Sequence, residues 1–277
     1  RLRSGTEGAS IAGRDGMGIV YGVYEFLERF VGCAWLAPDT EIVPDLSGWR
    51  WPTLDETGRP AYLYREFYVG MNDHMDDFWR LRNRESHRAA FGVGLRHGRP
   101  DDCHTFEHYA RELKKTHPEL FGNRPSASKG PCKTLCMTDP LTRRLVAEAM
   151  LRNVEADLAA CAGKPPYVRP TIYDLSQDDG PSGYECMCEG CRALAEAEGT
   201  YAAPNLAFVN AVADAVCAKH PEIRVQTFAY AYTEKPPKTV RASSNVIVRV
   251  CNAGVFRPYR PDSESGRGLA AWARQAD

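Results

Sequence analysis

From Tyr62 onward, short apolar or aromatic segments alternate with stretches of helical spacing, and this alternation restricts the chain to few folds. Strands are expected over 62–69, 91–95, 133–138, 171–177, 223–230 and 245–251. Helical patterns separate them over 75–88, around Arg111 to Lys115, from Pro140 to about Ala160, and from Ala203 to Lys219. Strands separated by helices pair in parallel rather than as hairpins. A complete eight-stranded barrel takes about 250 residues, so six strands read as a (β/α)8 TIM-like barrel truncated at its C-terminal side. A doubly wound open sheet is the other architecture with this rhythm, and it needs no further strands.

Ahead of this region, Val20, Val23, Phe26, Leu27, Phe30 and Val31 share one face of a helix that Gly32 would stop. Trp35-Leu-Ala-Pro38 reads as an extended exit, and the polar stretch from Trp49 to Pro60 reads as a linker. Gly13, Gly16 and Gly18 lack the spacing of a phosphate loop and are read as turn glycines.

Charge narrows the function. The 277 residues carry 35 basic and 36 acidic side chains, a net charge of -1, with no basic run interleaved with aromatics. That argues against a nucleic-acid surface. No apolar stretch is long enough to span a bilayer. The chain opens on Arg1 without a signal peptide and stops at Asp277 inside a helical pattern, so it reads as a fragment.

Ten cysteines are too few for a disulfide scaffold. Cys33, Cys161 and Cys217 sit in apolar settings and read as buried thiols. Three others crowd into Cys186-x-Cys188-x-x-Cys191, where a soft cation would satisfy converging thiolates. A structural zinc takes four ligands, and Cys136 is the candidate fourth because it ends the expected third strand, next to the fourth; Cys132 and Cys103 are reserves. The ion would pin the preceding loop. A loop of free thiols, or one disulfide in an oxidising compartment, is the plainer alternative.

That preceding loop is Ser176-Gln-Asp-Asp-Gly180, at the end of the fourth strand, and parallel βα folds gather function at such ends. Alternation directs Tyr173 and Leu175 to one face and Asp174, Ser176 and Asp178 to the barrel axis. Asp178 and Asp179 are the candidate catalytic pair, with pKa values pushed apart by proximity in a partly dry cleft; an Asx-turn pair is the structural alternative. Other strand ends contribute Arg65, Glu66 and Tyr68, then His97 and His104, Cys136 with Asp139, Tyr230 with Tyr232, and Cys251 with Asn252. Such a polar rim suits a hydroxyl-rich ligand. Arg65 would hold a ligand hydroxyl or pair with Glu66 or Asp179. His104 would bind a hydroxyl or move a proton, unless it is merely solvated. Tyr230 and Tyr232 would stack on a sugar face, unless they only close a strand.

The segments Gly18-Ile-Val-Tyr-Gly-Val-Tyr-Glu-Phe-Leu-Glu28, Gly32-Cys-Ala-Trp35 and Pro38 resemble the end of the small α/β domain that precedes the barrel in glycoside hydrolase family 20 and the family 67 α-glucuronidases. With His104-Thr-Phe, His117-Pro-Glu-Leu-Phe121, Leu135-Cys-Met-Thr138, Ser176-Gln-Asp-Asp-Gly180, the cysteine loop and Phe208-Val-Asn210, the chain resembles the domain-of-unknown-function family numbered 4838. The resemblance implies residues 1–57 as the remnant of a small α/β domain and 58–277 as a partial barrel that acts on, or binds, carbohydrate. Family 20 enzymes place an Asp-Glu pair at the end of the fourth strand, where this chain has Asp178-Asp179 and no Glu. Their first-strand arginine corresponds in place to Arg65. The related family often reads Gln-Asn-Asp here, which favours Asp179. It also implies export by bacteria that degrade polysaccharides. The resulting expectation is a glycoside hydrolase-like protein acting on poly- or oligosaccharides, with a carbohydrate-binding protein on the same scaffold as its rival. A thiol-redox role is a distant third.

Overall fold

The structure is a computed structural model that describes residues 1–6, 8–62, 64–65, 77–86, 95–121, 134–179, 185–251 and 260–275. The chain divides into two compact units, Arg1–Arg96 with Lys164–Val168, and His97–Gly163 with Arg169–Asp277.

In the first unit β1 (Leu2–Gly5) pairs antiparallel with β2 (Gly8–Ile11) on one side. A helix, α1 (Gly16–Phe26), follows, capped by Asp15, whose carboxylate accepts the Gly18 N–H at 2.7 Å. It runs on as a π-helical turn over Leu27–Val31 and stops at Gly32, whose φ of 91° is the left-handed conformation expected of a helix-ending glycine. The hairpin of β3 (Ala34–Ala37) and β4 (Thr40–Ile42) comes next, then β5 (Leu54–Glu56) on the free side of β1. Phe26 stacks on Trp51 with centroids 5.5 Å apart, and the Trp49 indole N–H donates to the Phe30 carbonyl at 2.9 Å. These contacts tie the stretch read as a linker onto α1. The helix expected over 75–88 is represented by α2 (Asp77–Arg82).

In the second unit α3 (Phe106–Thr116) and α4 (Pro140–Ala160) precede β6 (Ile172–Asp174). Two helices, α5 (Glu189–Glu198) and α6 (Ala202–Cys217), lead to β7 (Arg224–Ala229); β8 (Val246–Val250) and α7 (Glu264–Ala273) complete it. The sheet order is β6-β7-β8, all parallel, with Asp174 opposite Gln226 and Gln226 opposite Ile247. On the outer side of β6, His97 forms a parallel bridge to Ile172. A buried helix is apolar around most of its circumference, and α6 obeys this, burying Ala203, Leu206, Phe208, Val209, Val212 and Val216 against α4 and β7. From α4, Val146, Met150 and Val154 join the same core, together with Tyr173, Leu175 and Val225 of the sheet.

The protein is thus mixed α/β with a parallel βα portion, as the alternation predicts. Among the described residues the strands form three separate sheets and no closed barrel. One expected strand is corrected: the described part of 133–138, Thr134 to Thr138, forms a turn and no strand. Its apolar residues imitate a buried strand, yet Leu135, Cys136 and Met137 are buried consecutively, leading directly into the Asp139-Pro140 cap of α4. Most of the strands expected over 62–69 and 91–95, and Glu66, Tyr68, Cys132 and Asn252, lie outside the described residues.

Candidate functional site

The C-terminal end of β6 carries a layered polar cluster. At its base Asp174 is fully buried. Its carboxylate accepts the Ser176 N–H at 3.1 Å, the Ser176 hydroxyl at 2.7 Å and the Gln226 amide at 3.0 Å. Gln226 in turn accepts from His97 Nε2 at 3.1 Å. Desolvation outweighs these bonds and pushes the Asp174 carboxyl up to about 6. Alternation thus directs Asp174 and Ser176 as expected, but into a dry hydrogen-bonded floor that joins β6 to β7. Gln226 has no role in the expectations from sequence, since a glutamine on a strand that also carries Arg224 and Thr227 gives no local signal.

Above this floor lies His104. Its N–H donates to Ser176 Oγ at 2.9 Å, and its Nδ1 lies 2.7 Å from the Gln177 carbonyl. A carbonyl can only accept, so Nδ1 carries a proton, and in the neutral ring Nε2 keeps its lone pair. The ring meets Phe228 edge-on at 5.3 Å and lies 6.4 Å from Tyr230. His104 has φ of 53°, a left-handed conformation uncommon outside glycine and a mark of constrained sites.

At the rim the two neighbouring aspartates part company. Asp178 turns to α3 and accepts the Glu107 N–H at 2.7 Å. Burial pushes its carboxyl up to about 6, against the pull of that bond. Asp179 is exposed and accepts the Tyr230 hydroxyl at 3.0 Å. Gln177, buried, donates to the Tyr230 carbonyl at 2.8 Å and to Thr233 Oγ1 at 2.6 Å, holding the end of β7 against the end of β6. The other tyrosine, Tyr232, packs edge-on to Tyr201 at 6.5 Å. Arg249, also unremarked in the sequence, places its guanidinium 5.4 Å from the centre of the Phe228 ring. The last sugar-binding candidate, Arg65, belongs to the first unit; its guanidinium donates to the carbonyls of Arg84, at 3.0 Å, and Tyr62, and lies 5.2 Å from the Tyr21 ring centre.

A second cluster lies beyond the acidic loop. The sulfurs of Cys136, Cys186, Cys188 and Cys191 all fall within 4.8 Å of one another, with Cys136 and Cys188 3.6 Å apart. Tetrahedral thiolate coordination at about 2.3 Å gives sulfur–sulfur edges of about 3.8 Å, so the four residues could hold a metal ion. Among the described residues no disulfide joins any cysteines. Hydrogen bonds from neighbouring thiols hold Cys136 well below the ordinary thiol range, while the same contact pushes Cys191 up to about 12. Four thiols this close resist joint ionisation unless a cation joins them. Cys136 is thus the fourth member, as expected, but the turn before α4 brings it there and not a neighbouring strand. Cys103 lies apart, its half-buried thiol pushed up to about 12 by burial and by Asp102 and Asp174.

Together these features define an α/β protein with a polar cluster at parallel strand ends and a four-cysteine cluster suited to a metal. The chain belongs to the family described as Domain of unknown function (DUF4838), whose model matches residues 35–274. No curated protein and no solved structure matches it.

Proposed function

We propose that the chain belongs to a carbohydrate-active protein of glycoside hydrolase type, with Asp179 meeting the sugar. The observation that carries this reading is the Tyr230–Asp179 hydrogen bond at the ends of two adjacent parallel strands, with His104 alongside. Asp179 is exposed, Tyr230 orients its carboxylate, and His104 keeps Nε2 as an acceptor for a hydroxyl proton. The sequential parallel order β6-β7-β8 supports reading this sheet as an arc of a (β/α)8 barrel.

A second reading, sugar binding without turnover, draws support from Asp178. Glycoside hydrolysis ordinarily employs two carboxyl groups, and Asp178 is committed to capping α3. The test is Asp179→Asn in the full-length protein, assayed on a panel of aryl glycosides and by polysaccharide binding. Turnover lost with binding kept supports the hydrolase. Binding without turnover in the native protein supports the second reading, and a variant unchanged in both assays removes Asp179 from either role.

We further propose that the cysteine cluster holds a structural zinc ion. Four thiolates leave no open coordination position, so its chemistry would be structural. It would join the turn before α4, at Cys136, to the start of α5, where Cys188 is the N-cap and Cys191 lies in the first turn. Metal analysis of purified protein tests this, with one zinc per chain expected.

A further inference from the structure

Four thiolates around a divalent ion carry a net charge of -2, and Cys136, Cys186 and Cys191 are buried. Such charge needs hydrogen-bond donors around it. We propose that Thr138 is the outer-shell donor of this site, and that residue 190 is glycine to admit its hydroxyl; the inference rests on the metal reading above. Thr138 Oγ1 lies 3.3 Å from Cys191 Sγ, 3.7 Å from Cys188 Sγ and 3.8 Å from Cys136 Sγ, so it caps one face of the sulfur cluster. Metal-bound thiolates have no proton to give, so the hydroxyl must be the donor, and Cys191 is its nearest acceptor.

Gly190 supplies independent support. It lies in the first turn of α5, where glycine is poorer than alanine by about 1 kcal/mol. Its φ is not in the left-handed region, so the backbone does not require glycine. Space does: a Cβ at 190 would stand 2.7 Å from Thr138 Oγ1 and 3.3 Å from Thr138 Cβ. Alanine would drive the hydroxyl off the sulfurs.

The test uses the full chain loaded with zinc or with cobalt(II) as a spectroscopic probe, and the variants Thr138→Val, Thr138→Ser and Gly190→Ala. Competition with a chromophoric chelator should show affinity reduced about 10–100-fold in Thr138→Val and Gly190→Ala, and kept in Thr138→Ser. In the cobalt form the sulfur-to-metal charge-transfer bands should move to lower energy in Thr138→Val, while the ligand-field bands still report tetrahedral sulfur coordination. A merely structural threonine would leave those bands in place. A native chain that binds the ion while Thr138→Val retains both affinity and band energies overturns the role of Thr138. A native chain that takes up neither ion overturns the metal reading itself.

Discussion

Asp178 Oδ1 accepts the backbone N–H of Glu107 at 2.7 Å, so a carboxylate at the end of β6 closes the first turn of α3. The residue in the N-cap position, Thr105, makes no capping bond; its hydroxyl donates to the Asp174 carbonyl at 2.8 Å. The cap is supplied from 71 residues away in sequence. Replacing a capping side chain by alanine costs about 1 kcal/mol. Asp178→Ala should lose that much in urea unfolding, with amide exchange accelerating first at the start of α3.

The buried Asp174 predicts a pH dependence. Its carboxyl is pushed up to about 6 by burial, above the value near 3.9 expected in an unfolded chain. Between about pH 4 and pH 6 the folded chain therefore binds more protons, and stability falls as pH rises through that window. The stability difference between the native chain and Asp174→Asn isolates this group, because Asp178 and the cysteines are common to both. That difference should shift in favour of the native chain by up to about 3 kcal/mol between pH 7 and pH 4. A flat difference would show that the Ser176 and Gln226 bonds offset burial completely.

Gly98 is required by close approach. Its N–H donates to the Ile172 carbonyl at 2.8 Å, and a Cβ there would lie 2.1 Å from Tyr173 Cε1. The Tyr173 ring cannot retreat easily, being fully buried with its hydroxyl donating to Asp157 at 3.1 Å. Gly98→Ala should destabilise by about 1–3 kcal/mol, as overpacked cores do, measured by denaturant unfolding.

Removing the proposed ion should act locally. Cys191→Ser, or treatment with a strong zinc chelator, should abolish stoichiometric metal and raise hydrogen exchange over 134–139 and 185–191. Protection in β7 and α6 should fall less, because the core they share with Cys136, Cys186 and Cys191 is otherwise built of apolar side chains.

For the strand-end cluster, Tyr230→Phe removes only the hydroxyl that orients Asp179. A hydrogen bond to a charged group contributes about 1.5–3 kcal/mol, so on the proposed hydrolase reading kcat/KM on a sugar substrate should fall about tenfold or more. The exposed setting predicts little change in melting temperature. Wild-type kinetics in Tyr230→Phe would remove the pair from the mechanism.

Much of this was legible in the residues. The Asp139-Pro140 start of α4, the stop at Gly32 and the strands at β7 and β8 follow from local rules, because caps, glycine conformers and periodicity act within one turn or one strand. The turn at 134–138 was misread as a strand because a buried apolar turn and a buried strand share one composition. Gln226 and Gln177 carry no role in the sequence because glutamine has no local signature; only their distant partners reveal their use.

The amino-acid order alone determined the βα rhythm, the grouping of Cys186, Cys188 and Cys191, and the placing of acidic residues at the end of β6. These are matters of spacing, which the covalent chain carries. Tertiary structure decided how the adjacent aspartates divide their labour: Asp178 capping α3, Asp179 facing Tyr230. It also decided that Cys136 and Thr138 meet the other sulfurs from a turn. Those outcomes depend on which distant segment lies opposite each side chain, and packing, not spacing, selects it.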